Sequence, residues 1–176
     1  MAARRRRPGP RDDRLHWGSP LIAHTVLSFV FDGDRYLAVS IETRKNGAEA
    51  LFHEDVYLFR LVATPAFARQ VLLDYLETVN RLGDRPQWYN ALTHNCTTAV
   101  RGHMVPYVKN AVWSWKILLN GRLDEHLYAI GAVRQDLPLA ELRARGHVND
   151  RARAAEHDPD FSRQIREGVP ARFSAP

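Results

Sequence analysis

The sequence predicts an α+β domain in which a small antiparallel sheet is surrounded by helices. Segments rich in β-branched and aromatic residues come first along the chain, and segments with the apolar spacing of helices follow them. This order differs from the regular alternation that indicates a doubly wound parallel sheet. With 176 residues, of which 45% are hydrophobic, the chain is long enough for one domain with its own core.

The predicted sheet has three strands, over residues 23–31, 36–43 and 55–63. Asp32-Gly33-Asp34 separates the first two and is a typical hairpin turn. Two registers are possible. A three-residue loop pairs residue 24 with residue 42, whereas a two-residue loop at Gly33-Asp34 places residue 43 opposite residue 24.

Helices are predicted mainly in the second half of the chain. Thr64-Pro65 is a helix start, with threonine as the N-cap and proline at the first helical position, and this helix ends near Gly83. The apolar stripe predicted to be buried contains Phe67, Val71, Leu72, Tyr75, Leu76, Val79 and Leu82. Further helices are predicted over 97–104, 118–130, 139–145 and 149–166.

The net charge of +5 comes mostly from the first fourteen residues. Six arginines in this segment oppose only Asp12 and Asp13, so the remainder of the chain is nearly balanced. We therefore predict no nucleic-acid partner. Residues 1–16 are predicted to be a disordered basic tail, 17–170 a single catalytic-type domain, and 171–176 a disordered C-terminus.

Residues 21–31 resemble the apolar part of a signal peptide, since they follow basic residues. His24, Thr25 and Ser28 interrupt this run, and no apolar run reaches the ~20 residues of a membrane-spanning helix. The sequence therefore predicts no signal peptide and no transmembrane segment.

Cys96 is the only cysteine and is predicted to lie where a polar loop enters a helix. Unpaired N–H groups and the helix dipole at such a position lower the pKa of a thiol and favour the nucleophilic thiolate. A lone cysteine can also be an inert core residue. The polar neighbours of Cys96 favour the catalytic interpretation.

Acyl transfer through a thiol also needs a base and a group that orients it. His24, at the start of the first strand, is the predicted base, and Glu42 is the predicted orienting carboxylate if residue 24 pairs with residue 42. Alternatively, His24 is a strand-end histidine near solvent, and Glu42 forms a surface ion pair. His94 is a rival base, but it is only two residues from the sulfur and is assigned a supporting role.

Other residues near Cys96 are predicted to bind the substrate or its oxyanion. These are Asn95 and the N–H groups of Cys96 and Thr97, although Thr97 or Thr98 could instead cap the helix. Tyr89 could donate its hydroxyl to the site or belong to the core. Trp113 and Trp115 could lie at a lipid interface, or they could belong to the core or cover a groove.

The sequence lacks the motifs of cofactor and metal sites, including a Gly-rich phosphate loop and His-Glu-x-x-His. We therefore predict no cofactor and no metal.

Several segments together resemble a known bacterial family. They are His24-Thr25, Ser40-Ile41-Glu42-Thr43-Arg44, Trp88-Tyr89-Asn90, Asn95-Cys96-Thr97-Thr98, Asn120-Gly121-Arg122-Leu123-Asp124, Leu127-Tyr128 and Asp158-Pro159-Asp160-Phe161-Ser162. This set is similar to the Lnb-type lipoprotein N-acyltransferase N-terminal periplasmic domain, and the resemblance extends from about residue 17 to residue 168.

The resemblance implies a permuted papain-like thiol fold, as in the NlpC/P60-like enzymes, with the histidine strand before the cysteine helix. It implies that Cys96 takes an acyl chain from a phospholipid, with His24 as base and then acid and Glu42 orienting His24. The acceptor would be a lipoprotein amino terminus. It also implies a periplasmic or membrane-associated location and a membrane surface as partner.

The chain departs from the family in its short segment over 45–53 and in the absence of an export or anchoring sequence. Two other functions therefore remain open. One is a thiol peptidase or amidase that acts on cell-wall peptide. The other is an inactive interaction domain at a membrane surface.

Overall fold

The computed structural model describes residues 2–6, 23–39, 54–88, 95–108 and 111–170. Within these ranges the fold is α+β, as predicted. The strands are β1 Ala2–Arg6, β2 His24–Phe31, β3 Arg35–Val39 and β4 Glu54–Leu58. The helices are α1 Pro65–Asp84, α2 Cys96–Met104, α3 Leu123–Ala129, α4 Leu139–Gly146, α5 Asn149–Ala154 and α6 Phe161–Gln164. Short 3₁₀ turns cover Val105–Tyr107, Trp115–Ile117 and Asn120–Arg122.

The sheet has the order β3-β2-β1-β4. β1 is antiparallel to both of its neighbours, with Ala2 opposite Val26 of β2 and Leu58 of β4. The structure has residues 2–6 of the predicted basic tail in this strand, whereas residues 7–16 and 171–176 lie outside the described residues, and the division into tail, domain and C-terminus stays a prediction. Strand pairing uses backbone N–H and C=O groups, which an arginine-rich segment supplies as well as any other.

The hairpin between β2 and β3 has the three-residue loop. Phe31 lies opposite Arg35, and Gly33 and Asp34 have the positive φ angles of 72° and 53° that the turn requires. This is the register that, continued, pairs residue 24 with residue 42. Glu42 itself lies outside the described residues.

The main core lies between β2 and the helices α1 and α2. Its buried members are Leu27, Phe29, Val71, Tyr75 and Val100. Leu27 and Phe29 alternate along β2 with residues that face the other side of the sheet, and Val71 and Tyr75 lie one helical turn apart on α1.

The predicted start of α1 is confirmed, since Thr64 Oγ1 accepts a hydrogen bond from the Phe67 N–H at 3.1 Å. The predicted buried stripe is too wide, because Leu76 and Val79 are exposed. Leu76 is rotated by about 100° from buried Tyr75 around the helix axis and so faces solvent.

The C-terminal half differs from the predicted long helices. The segment 118–130 begins with the turn Asn120–Arg122 before α3, and Gly131 follows α3 with φ of 71°. The segment 149–166 divides into α5 and α6, because Pro159 cannot continue a helix. Within the described ranges, none of the helices combines the length and the hydropathy that a bilayer crossing requires.

Candidate functional site

Cys96 is the first residue of α2, and Asn95 is its N-cap. Asn95 Oδ1 accepts hydrogen bonds from the N–H groups of Thr97 and Thr98, at 3.0 and 2.9 Å. Thr98 Oγ1 accepts one from the Asn95 N–H at 2.9 Å, which completes a capping box. The cap fixes the position of the thiol at the positive end of the helix.

The helix start packs against the beginning of β2. The Thr25 N–H donates a hydrogen bond to Cys96 Sγ at 3.4 Å, and the hydroxyls of Thr25 and Thr97 are hydrogen-bonded at 2.8 Å. Cys96, Thr25 and Thr97 are all almost fully buried, and Cys96 is 4% exposed. Water is therefore largely excluded from the contact between α2 and β2, and the protein groups around Cys96 determine the pKa of its thiol.

The structure brings His24 and Cys96 together, although they are far apart in the sequence. Burial by itself raises the pKa of the Cys96 thiol, but a hydrogen bond with the His24 side chain and one from the Thr25 backbone lower it. The nearby charge of His24 and the Thr97 hydroxyl lower it further, so the pKa lies below its ordinary value. This geometry is what a thiol–imidazole pair requires, and the catalytic roles of the two residues stay a prediction.

Asn120 is the residue at this site that the sequence analysis did not assign. Its Nδ2 donates to Cys96 Sγ at 3.5 Å and to Thr97 Oγ1 at 2.7 Å, and its Oδ1 accepts from the Ala23 N–H at 2.7 Å. It is 3% exposed. Asn120 opens one of the segments that resemble the family, and that was the available signal. No pattern in the sequence placed it beside the thiol, because the contact spans 24 residues.

A second group of polar side chains lies in the core near Cys96. Burial raises the pKa of Tyr75 above its usual range, and the negative charge of Cys96 adds to this effect. The ring of Tyr75 stacks on His103, with 3.9 Å between centroids, and His103 Nδ1 lies 2.5 Å from Asp74 Oδ2. Tyr75 therefore contacts His103 of the His103–Asp74 pair and also lies within electrostatic range of the thiol.

Three of the residues considered in the sequence, Glu42, Tyr89 and His94, lie outside the described residues. Asn95 and Thr97 are both at the site. Asn95 caps α2 together with Thr98, whereas the Thr97 hydroxyl is hydrogen-bonded to Thr25 and Asn120. The oxyanion role of Asn95 and Thr97 stays a prediction. In the part of the chain that the structure describes, no three His, Cys, Asp or Glu side chains form a group that could hold a metal ion.

Trp113 and Trp115 are surface residues, each about half exposed, and the core alternative is wrong for them. Both lie close to a cation. The Arg101 guanidinium is 5.0 Å from the centroid of the Trp113 ring, and Lys116 Nζ is 5.9 Å from that of Trp115. We call these four residues the aromatic-cationic patch.

The patch is connected to the thiol site by short contacts. Arg101 Nη2 donates to the carbonyl of Ala111 at 3.0 Å, and Asn95 Nδ2 donates to the carbonyl of Leu118 at 3.5 Å. The segment that carries both tryptophans is thereby held against α2 and ends at Asn120.

A comparison with known protein families gives one match. Residues 48–121 match the family described as the Lnb N-terminal periplasmic domain, so the predicted family is confirmed over this part of the chain. The matched range is less than half of the 176 residues and contains Cys96 and Asn120, whereas His24 precedes it. No curated protein and no solved structure matches the chain.

Proposed function

We propose that this bacterial, periplasmic chain is a cysteine-dependent acyltransferase, since its residues 48–121 match the Lnb N-terminal periplasmic domain family. It would move an acyl chain from a phospholipid to the amino terminus of a lipoprotein through a thioester on Cys96. The observation that carries the proposal is the hydrogen bond between His24 and Cys96, which accompanies a lowered thiol pKa. The permuted papain-like arrangement, with the histidine strand before the cysteine helix, is part of the proposal.

In the first step, the Cys96 thiolate attacks the carbonyl carbon of the phospholipid ester. A C–S bond forms, the ester C–O bond breaks, and the leaving alkoxide takes the proton that His24 received from the thiol. The developing oxyanion needs hydrogen-bond donors. Asn120 Nδ2, which lies 3.5 Å from the sulfur, would supply one such donor.

In the second step, the amino group of the lipoprotein attacks the thioester. The new C–N bond replaces the C–S bond, His24 accepts the proton that the amine loses, and the thiolate is regenerated. Glu42 would orient the His24 ring during both steps.

The burial of the thiol favours transfer over hydrolysis. Cys96 is 4% exposed, and it lies between β2, the α2 cap and Asn120. A thioester formed there is shielded from water, so that an amine which is bound at the site competes effectively for the acyl group. This supports an acyltransferase above a peptidase, which needs water at the same position.

The aromatic-cationic patch supports a membrane surface as partner. Exposed tryptophans are favoured at the level of lipid headgroups, and Arg101 adds a positive charge that attracts anionic lipids. The charge of Lys116 is already paired with Glu125 at 2.9 Å, so Lys116 contributes less to this attraction. Since Asn95 contacts the same segment at Leu118, a membrane bound to the patch would lie near the thiol.

The proposal is tested by measuring the mass of the intact protein after incubation with phospholipid vesicles. The wild type should gain the mass of one acyl chain, and hydroxylamine should remove it, because hydroxylamine cleaves thioesters. Cys96→Ala and His24→Ala should show no adduct. His157→Ala, which changes an exposed histidine, is the matched control and should behave as the wild type does.

A second measurement follows the rate of Cys96 alkylation with pH. The midpoint should lie below that of an ordinary cysteine in the wild type and should rise in His24→Ala, because the His24 hydrogen bond is lost while the burial remains. If folded wild-type protein forms no adduct and His24→Ala leaves the midpoint unchanged, the acyltransferase proposal is wrong and the interaction domain is favoured. Cleavage of cell-wall peptide without an acyl adduct would favour the peptidase.

A further inference from the structure

A large cavity lies away from the thiol, next to Val26 of β2 and Leu58 of β4, which both pair with Ala2. β2 and the segment after β4 both line this cavity, which has a volume of about 840 Å³. Cys96 is not among its lining residues.

The size and the lining of the cavity are those of a ligand site. Binding sites for small molecules occupy about 300–1,000 Å³, whereas the interior of a domain is otherwise close-packed. Apolar side chains from both strands and helices line this cavity, among them Leu27, Phe29, Phe67, Met104, Val148 and Ile165. Such a surface fits a hydrocarbon chain.

Two arginines contribute positive charge to the lining of the cavity. Arg60 and Arg166 both line it, and neither forms an ion pair with a carboxylate within the described ranges. The Arg60 Nε atom is buried and has no hydrogen-bond partner there. A buried donor without a partner is costly, and an anion would satisfy it.

The contacts of Arg166 hold it in place beside Arg60. Arg166 Nη2 donates to Ser28 Oγ at 2.8 Å, and its guanidinium lies 4.1 Å from the centroid of the Tyr36 ring. Burial lowers the pKa of Arg166, Tyr36 raises it, and the positive charge of Arg60 lowers it. An anion between the two guanidinium groups would relieve this repulsion.

The other charged side chains of the cavity lie on α5 and just after it. Arg153 is paired with Asp150, and Glu156 is exposed. Among the described residues that line the cavity, Arg60 and Arg166 are therefore the cations that have no carboxylate partner.

The geometry points to a binding site for an anionic amphiphile, whose hydrocarbon chain occupies the cavity between β2 and β4 and whose head is bound by Arg60 and Arg166. The site is separate from the proposed chemistry at Cys96. The head can be the carboxylate of a fatty acid or the phosphate of a lipid, since both accept hydrogen bonds from guanidinium groups.

The test is calorimetric titration of the Cys96→Ala protein, which cannot be acylated and so separates this proposal from the acyltransferase. The ligands are decanoate, dodecanoate, tetradecanoate and dodecyl phosphate, each below its micellar concentration, with dodecyl maltoside as the uncharged comparison. Along the series of carboxylates, binding should tighten by about fourfold for each methylene added to the chain. Dodecyl maltoside should bind at least about tenfold more weakly than the better of the two anionic heads.

Two variants locate the site. Arg60→Gln should weaken binding of the anionic ligands by about tenfold or more, and Ala68→Phe, which fills the cavity from α1, should reduce the gain with chain length. Arg81→Gln, at an exposed ion pair on α1, is the matched control and should bind as before. Tighter binding of dodecyl phosphate indicates a lipid phosphate as the head, and tighter binding of dodecanoate a fatty acid. Absence of saturable binding by the folded protein, or affinity that is the same in Arg60→Gln, would overturn the proposal.

Discussion

Asn120→Ala should both destabilise the protein and reduce the reactivity of the Cys96 thiol. The substitution leaves the buried Ala23 N–H without its 2.7 Å partner and removes the Nδ2 donor from Cys96 Sγ and Thr97 Oγ1. An unsatisfied buried donor costs about 1–3 kcal/mol, and each further lost hydrogen bond about 0.5–1.5 kcal/mol. Thr97 Oγ1 retains its bond to Thr25, so we expect a total loss of about 2–4 kcal/mol.

Urea denaturation measures this loss. With an m value of about 2 kcal/mol/M, the midpoint should fall by about 1–2 M. In the same protein, Cys96 should be alkylated more slowly at neutral pH, because a hydrogen bond to the thiolate is lost and the thiol pKa rises.

Asn149→Ala is the matched control, since Asn149 Oδ1 also accepts a backbone N–H, that of Val56, at 2.7 Å. It should lose about 1–3 kcal/mol and leave the alkylation of Cys96 unchanged. The reasoning is refuted if Asn120→Ala keeps the wild-type midpoint, or if Asn149→Ala slows the alkylation of Cys96 equally.

Three further substitutions and one change of pH test other parts of the fold. Gly146→Ala should lower the free energy of unfolding, measured by urea denaturation, by about 1–3 kcal/mol, because the added Cβ would lie 2.7 Å from the Leu58 carbonyl oxygen. Gly102→Ala in α2, where the added Cβ would have nothing within 4 Å, should raise the free energy of unfolding by about 0.5–1 kcal/mol. Thr64→Ala should lower the free energy of unfolding by about 1 kcal/mol in the same assay, since the α1 N-cap is lost. The wild type should become more stable as the pH rises from the lowered folded pKa of Cys96 to its ordinary value, because over this window the unfolded thiol keeps a proton that the folded thiol has lost. Urea series between about pH 6 and pH 9 should show this rise, at most about 1.4 kcal/mol per pH unit, in the wild type and not in Cys96→Ala.

Local signals in the sequence predicted much of the fold. The hairpin turn, the Thr64-Pro65 helix start and the start of α2 at Cys96 each depend on a few neighbouring residues, and each is found in the structure. The strand β1 could not be predicted in this way. Its pairing with β2 and β4 depends on the two open strand edges, which are properties of distant segments.

The candidate site shows the same division. The position of Cys96 at a helix start follows from its neighbours, and the choice of His24 followed from its place on a strand. Asn120 was missed because its role depends on three contacts with segments 23, 24 and 97 residues away. A buried asparagine is identified by the groups that it satisfies, and these are known only once the chain is folded.

The pKa of the Cys96 thiol depends on residues inside the family match and on residues that precede it. Residues 48–121 supply Cys96, its cap and Asn120, but the hydrogen bonds that lower the thiol pKa come largely from His24 and Thr25 of β2. Without β2, the thiolate sulfur of Cys96 would accept fewer hydrogen bonds, and the remaining burial would favour the protonated thiol. The reactive state of Cys96 is therefore a product of the tertiary contact between β2 and α2. The Asn120 side chain fastens this contact, because it binds the Ala23 backbone with its oxygen and the sulfur with its nitrogen.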